Sequence, residues 1–260
     1  MPSETEDKLL NLDFAPSAIY SAESERIRVE YERRSLEVDD RLYAPWNPTE
    51  QFMRAGRERV ALRLLHNLGV FPGPGDRCLE IGYGKLGWLG TLISWGVRET
   101  DLSGIELDEI RAGVARAALP AADLRVGEAT TLPWGNETFK LVVVSTVFTS
   151  ILQTDVRQRI ADEIKRVLAP GGALLWYDFR VNNPKNKQVR KVDRRELRQL
   201  FKGMPGKVEA VTLAPPLARL VAPRSHLLAM IAERIPVLRT HHLAVLLNRQ
   251  PPEIVGPAKK

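Results

Sequence analysis

The fold of this chain is decided by the stretch Cys78-Leu79-Glu80-Ile81-Gly82-Tyr83-Gly84-Lys85-Leu86-Gly87. Its apolar residues predict a short strand over 77–81, which runs into a glycine turn and then into a helix from Leu86 to about Trp95. Two glycines one residue apart let the backbone turn sharply and approach a ligand closely. The start of the helix offers free N–H groups and a partial positive charge. The stretch therefore predicts a turn that binds the polar end of a nucleotide-like cofactor.

The acidic residues around this turn indicate which cofactor it binds. Gly82-x-Gly84-x-x-Gly87 matches the dinucleotide fingerprint, and Glu106 lies at a suitable distance downstream for a ribose hydroxyl. Glu80, however, stands at the strand end, close to where a pyrophosphate would lie, and its carboxylate would repel the phosphate charges. S-adenosylmethionine carries a sulfonium, an ammonium and no phosphate. The sequence therefore favours this cationic cofactor over a dinucleotide.

Four more motifs follow Glu80-x-Gly82-x-Gly84 along the chain. They are Gly104-Ile105-Glu106, Gly127-Glu128-Ala129, Leu132-Pro133-Trp134 to Phe139, and Leu168-Ala169-Pro170-Gly171-Gly172. In this order the five motifs resemble the class I S-adenosylmethionine-dependent methyltransferase family over roughly residues 55 to 180. The chain departs from the family pattern at Leu86, where a third glycine is common, and at Lys140, where Asp is common.

The alternation of elements predicts an α/β fold. Strands are expected at about 77–81, 101–106, 123–126, 140–145, 173–177, 207–213 and 242–248, with helices between most of them. Such alternation predicts a parallel sheet with helices on both faces. The resemblance implies a Rossmann-like, seven-stranded, mostly parallel sheet with an antiparallel last strand. We expect an N-terminal helical cap over 1–48, the methyltransferase domain over 49–250 and a disordered tail over 251–260.

The resemblance also implies a set of cofactor-binding residues at the carboxyl ends of the strands. Glu80, Gly82, Tyr83 and Gly84 would contact the methionine moiety, and Glu106 would bind the ribose hydroxyls. Leu107, Glu128 and Ala129 would contact the adenine, and Ser145 and Thr146 would lie under the reacting sulfur.

Three residues are candidates for a catalytic base. Methyl transfer from a sulfonium mainly requires alignment of the acceptor, and a base is needed only for a hydroxyl or a protonated amine. Asp178 closes strand five, and His241 and His242 precede strand seven, whose antiparallel direction places its beginning at the crevice. Each of the three has a structural alternative, such as a hydrogen bond to loop backbone.

Composition limits the class of protein. The chain has 260 residues, a formal net charge of +6, 44% hydrophobic and 27% charged residues, and one cysteine, Cys78. These values fit one large α/β domain, and the lone cysteine fits a reducing cytoplasm. We expect no signal peptide, no transmembrane segment and no metal site. Residues 180–207 carry ten Lys or Arg against two acidic residues, a local excess of +8.

The acceptor is less well defined than the cofactor. Residues 145–150 lack the Asn/Asp-Pro-Pro-aromatic motif of family members that methylate DNA bases, and the loop at 177–184 is polar and aromatic. We expect O-methylation of a small-molecule or glycan-type acceptor. An RNA methyltransferase that uses the basic segment, a non-catalytic S-adenosylmethionine-binding protein and a nicotinamide-dependent oxidoreductase are the alternatives. The apolar segment Leu217 to Leu238 could be core, a dimer surface or a peripheral membrane contact, and the oligomeric state is open.

Overall fold

A computed structural model of the protein describes residues 18–37, 39–183 and 186–248. The strands are β1 (Cys78–Ile81), β2 (Leu102–Glu106), β3 (Asp123–Val126), β4 (Phe139–Ser145), β5 (Leu168–Phe179), β6 (Gly206–Leu213) and β7 (Arg239–Leu247). The helices are α1 (Ala18–Glu37), α2 (Pro48–Asn67), α3 (Leu89–Ser94), α4 (Glu109–Ala118), α5 (Thr154–Val167), α6 (Arg194–Leu200), α7 (Pro215–Val221) and α8 (His226–Glu233). The predicted tail at 251–260 lies outside the described residues, as do the first 17 residues of the predicted cap.

The seven strands form one sheet in the order β3-β2-β1-β4-β5-β7-β6. All pairs from β3 to β5 are parallel, whereas β7 pairs antiparallel with both β5 and β6. The predicted mostly parallel sheet with an antiparallel last strand is therefore confirmed. The carboxyl ends of the parallel strands and the beginning of β7 lie at one edge of the sheet, which we call the crevice edge.

Apolar layers cover both faces of the sheet, and its central strands are therefore buried on both sides. On one face α2, α3 and α4 pack against residues such as Leu141 and Leu175. On the other face α5 and α6 pack against the neighbouring residues Val142 and Trp176. The alternation of side chains along a strand sends adjacent residues to opposite layers, and this alternation also governs the functional residues.

Helix ends agree with the capping residues in the sequence. Asn47 accepts hydrogen bonds from the N–H groups of Thr49 and Glu50 at the start of α2. Asp193 accepts from Arg195 N and Glu196 N at the start of α6. Side-chain acceptors of this kind stabilise helix starts by about 1 kcal/mol each.

The helical spacing of Ile110, Val114 and Ala118 predicts that these residues form the buried face of α4, and this prediction is wrong. Ile110 and Val114 are 83% and 47% exposed, whereas Ala112 and Ala115 are fully buried. Small side chains let the helix lie close to β2 and β3, and this close approach determines which face of α4 is buried.

Two strand boundaries also differ from the prediction. β5 begins at Leu168, earlier than predicted. Gly171 N donates to Asn248 O, and Asn248 N donates to Gly172 O. These two backbone hydrogen bonds hold the start of β5 beside the end of β7. β7 begins at Arg239, so His241 and His242 lie inside the strand rather than before it.

Candidate active site

The Glu80 carboxylate occupies the start of α3 from inside the protein. Glu80 is fully buried, and its Oε2 accepts hydrogen bonds from Trp88 N (2.7 Å) and Leu89 N (3.0 Å). Its Oε1 is buried without a partner in the described part of the chain. Burial raises the pKa of Glu80 to about 8, against the lowering effect of the two N–H groups. The N–H groups of Trp88 and Leu89 at the start of α3 are therefore already used by a side chain of the protein itself.

Glu106 accepts hydrogen bonds from one N–H group of the glycine turn and from two N–H groups that follow β2. Its Oε2 accepts from Gly84 N at 2.7 Å, and its Oε1 accepts from Leu107 N at 2.8 Å and from Asp108 N at 3.1 Å. Asp108 itself accepts from Arg111 N and caps α4, so Glu106 is not needed as the cap. The two acidic side chains Glu80 and Glu106 thus occupy the N–H groups of Gly84, Trp88 and Leu89.

The three glycines of the turn differ in what a side chain would contact at each position. Gly87 has φ +49°, and a Cβ built there would lie 2.3 Å from Glu80 Oε1. Gly82 has φ +71°, and its Cβ would lie 2.5 Å from a methyl group of Val147. Gly84 has φ +57° with open space around it. The shift of the third glycine to Gly87 therefore accommodates the Glu80 carboxylate.

A crevice of about 590 Å³, open to solvent, lies beside the turn at the crevice edge. Its walls include the predicted residues Gly82, Glu106, Leu107, Glu128 and Ala129. These residues come from the ends of β1, β2 and β3, and the structure brings them together.

Helix α1 closes one side of this crevice. Glu23, Ile27 and Tyr31 line it from above. Glu23 accepts from Leu152 N (2.5 Å) and Arg26 donates to Ser150 O (2.5 Å), so α1 is attached to the loop after β4. The Arg111 guanidinium lies 4.2 Å from the Tyr31 ring centre and makes a second attachment, to α4. The sequence predicts a cap here but does not show which residues of α1 face the crevice.

Three other predicted cofactor residues lie elsewhere. The Tyr83 side chain is buried in the core, where it touches Gly104 and donates a hydrogen bond to Arg125 O (3.2 Å). Ser145 and Thr146 end β4, and Thr146 has φ +56° with an exposed side chain that donates to Ser145 O (2.7 Å). None of the three is among the residues that line the crevice, and neither are the predicted residues Glu80 and Gly84.

The Asp178 carboxylate holds the loop after β4 in place. It is fully buried, and its carboxylate accepts from Thr149 N (3.0 Å), Phe179 N (2.8 Å) and the Thr149 hydroxyl. Burial raises the pKa of Asp178 to about 7, although these donors oppose the shift. The carboxylate fixes the loop after β4 and has no face toward the crevice.

The two histidines lie on opposite faces of β7. His241 stacks on Tyr177, with 4.7 Å between the ring centroids, and its Nδ1 lies 3.1 Å from the Thr240 hydroxyl. Burial lowers the pKa of His241 to about 3, and burial likewise lowers that of His242 to about 4. His242 faces Asp178 across the β5–β7 pair on the other layer, and its Nδ1 has no partner among the described residues. Both rings are neutral at pH 7, and only His241 lies on the face that carries α2.

Arg57 is a polar residue of this region that sequence reasoning missed. It projects from α2, with its guanidinium 5.5 Å from the Tyr177 ring centre and 5.7 Å from that of Trp88. Its Nε and Trp88 Nε1 are buried without partners in the described structure. The Tyr177 hydroxyl shares a hydrogen bond with Thr212 (3.0 Å). We call Arg57, Trp88, Tyr177, Thr212 and His241 the α2-side polar cluster; a helical position such as Arg57 gives no local signal in the sequence.

Arginines of the basic segment are partly committed to the fold. Arg180 donates to Pro236 O and Arg239 O, and Arg194 donates to Val208 O. Within residues 18–37, 39–183 and 186–248, no group of three His, Cys, Asp or Glu could hold a metal ion. In the same ranges no helix is both long and apolar enough to cross a membrane.

Comparisons with known proteins agree with this geometry. Residues 79–176 match a family model described as a methyltransferase domain. Comparison of the sequence with curated proteins gave no match.

Solved structures share the fold at low sequence identity. An S-adenosylmethionine-dependent methyltransferase from Thermotoga maritima is 19% identical, with a TM-score of 0.56 over 88% of this chain and 99% of that one. One from Methanosarcina mazei is 17% identical, with a TM-score of 0.52 over 72% and 97%. The [4+2]-cyclase SpnF is also similar, at 16% identity and a TM-score of 0.54 over 75% and 82%. The fold is therefore shared beyond methyl transfer. The family match over 79–176 and the fold shared with these structures agree with the predicted resemblance to the class I, S-adenosylmethionine-dependent methyltransferase family.

Proposed function

We propose that the protein transfers a methyl group from S-adenosylmethionine to a hydroxyl group of a small-molecule or glycan-type acceptor. The observation that supports this acceptor class is the α2-side polar cluster, which gathers a guanidinium, two hydroxyls, an indole and an imidazole at the crevice edge. A polar acceptor can form hydrogen bonds with Arg57 Nε and Trp88 Nε1, whereas an apolar one would leave these two groups unpaired at a cost of about 1–3 kcal/mol each.

The cofactor would be held by residues from both sides of the glycine turn. Its adenosine end fits the crevice at Glu106, Leu107, Glu128 and Ala129 under α1. Its ammonium group fits the unpartnered Oε1 of Glu80. When bound, the cofactor supplies an activated methyl group, so the protein's main task is to orient the acceptor and to exclude water.

Among the three base candidates we propose a role in methyl transfer for His241 alone. Its imidazole is neutral at pH 7 and can accept a hydrogen bond from an acceptor hydroxyl. A pKa of about 3 makes it a weak base, so its role would be to orient the hydroxyl. Asp178 and His242 face the other layer and are proposed as positioning residues for the loop after β4 and for β7.

The cofactor site is tested with Glu106→Ala against a matched control, Glu109→Ala. Glu106 organises the turn, whereas Glu109 is exposed in the first turn of α4. We expect Glu106→Ala to weaken S-adenosylmethionine binding at least tenfold in calorimetry, because several charge-assisted hydrogen bonds are lost, and Glu109→Ala to leave it unchanged. Equal affinities of the two variants would contradict the proposed site.

The acceptor is tested with a labelled methyl donor against panels of glycans, small hydroxylated metabolites and RNA. Labelling of a glycan or a metabolite at oxygen, lost in Arg57→Met, would support the proposal. Labelling of RNA alone would assign the reaction to the basic segment instead. Cofactor binding without labelling of any panel would favour a non-catalytic role. The predicted cytoplasmic location rests on the single cysteine and stays a prediction.

A further inference from the structure

Helices α7 and α8 expose large apolar side chains and bury small ones. Their fully buried residues are Ala218 and Ala229. By contrast Leu227, Leu228 and Ile231 are 66%, 58% and 51% exposed. The other exposed large apolar residues between 215 and 239 are Leu220, Met230, Ile235 and Val237. We call these seven side chains the α7–α8 apolar surface; a contiguous apolar surface of this kind marks an interaction site.

The charges around this surface are of one sign. Residues 215–239 contain four arginines, Arg219, Arg224, Arg234 and Arg239, and one acidic residue, Glu233. Three of the arginines are exposed. Glu233 is turned inward and accepts a hydrogen bond from Leu213 N (3.3 Å). Leucine and isoleucine side chains rimmed by arginine are the composition of helices that lie in the interface of an anionic membrane.

The same charges argue against a second copy as the occupant. A two-fold dimer places the same patch of both subunits face to face. The exposed arginines would then face each other across an apolar contact, with no exposed carboxylate within 215–239 to pair with them. An anionic lipid surface neutralises these arginines and accepts the apolar side chains.

The position of the surface links it to the active site. α7 follows β6 and α8 precedes β7 at the crevice edge, and the ring of Phe52 in α2 contacts that of His226 in α8, with 5.9 Å between centroids. From these observations we propose that the α7–α8 apolar surface docks on an anionic membrane. Docking places the crevice edge against the lipid headgroups.

The test is co-sedimentation of the full chain with vesicles of phosphatidylcholine alone or mixed with phosphatidylglycerol. We expect binding to the mixed vesicles that weakens with salt, and little binding to phosphatidylcholine. The double variant Leu227→Ser/Ile231→Ser should bind at least tenfold more weakly, because two side chains no longer insert. Arg234→Glu should bind less and with a smaller salt dependence.

The matched control is Ile110→Ser/Val114→Ser, which removes two exposed apolar residues from α4 instead. It should bind vesicles like the unchanged protein, and all variants should keep the same thermal midpoint of unfolding because the substituted residues are exposed. Absence of binding to mixed vesicles at low salt, or equal binding by the Leu227/Ile231 variant, overturns the proposal. A dimer in sedimentation velocity that this variant dissolves would assign the surface to a second copy.

Discussion

The buried Glu80 carboxyl predicts a pH-dependent affinity for the cofactor. Burial raises its pKa to about 8, so below that pH most of the unliganded protein carries a protonated Glu80. A cationic ligand at Oε1 requires the ionised form, and its binding therefore releases a proton. The affinity for S-adenosylmethionine should rise with pH as this carboxyl ionises.

The magnitude follows from the ionised fraction. With this pKa, roughly 0.3% of Glu80 is ionised at pH 5.5 and roughly a quarter at pH 7.5, so the ionised fraction rises roughly 75-fold. The amino group of the cofactor has a pKa of about 8 and loses roughly a quarter of its charge by pH 7.5, so the affinity should rise on the order of 50-fold.

Glu80→Gln separates this effect from other titrating groups. The amide oxygen can keep the bonds from Trp88 N and Leu89 N, and the amide nitrogen takes the place of Oε1. We expect weaker binding at pH 7.5 and a flat profile from pH 5.5 to 7.5. Calorimetry in two buffers of different ionisation enthalpy should count about one released proton in the unchanged protein near pH 6.5 and none in the variant. A flat profile in the unchanged protein, or the same slope in both proteins, would refute the argument.

Three further predictions concern stability. Gly87→Ala should lower the free energy of unfolding clearly more than Gly84→Ala, since both have positive φ but only the former brings a Cβ to 2.3 Å from Glu80; equal losses in urea denaturation would contradict this. Arg157→Met should cost about 3 kcal/mol by the same measurement, because the buried guanidinium bonds three backbone carbonyls and a carboxylate. The raised pKa values of Glu80 and Asp178 mean that the folded protein binds more protons, so stability should fall as pH rises from 6.5 to 8.5, and less so in Glu80→Gln.

The sequence predicts the sheet well because each strand is a short apolar run bounded by turn residues. β3 matches at both ends, and β1, β2 and β4 match within one residue. The positions of Glu106 and Glu128 follow, since both lie where strands end at the crevice edge. Their positions can be predicted because strand ends are marked by local patterns in the sequence.

Other features depend on neighbours distant in sequence. The burial of Ala112 in place of Ile110 follows from how closely α4 approaches the sheet. Arg57 joins the site only because α2 crosses the ends of β5 and β7. The opposite orientations of His241 and His242, by contrast, follow from strand alternation once both are assigned to β7.

The positions of Glu80 and Glu106 at the glycine turn affect which adenosine-containing metabolites can compete for the crevice. Cells hold adenine nucleotides in large excess over many other ligands, and their adenosine portions could enter the same crevice. Here Glu80 and Glu106 already accept from Gly84 N, Trp88 N and Leu89 N, so the phosphates of a nucleotide would have to compete with two acidic side chains for these three donors. We therefore expect that neither ATP nor NAD acts as a strong competitive inhibitor.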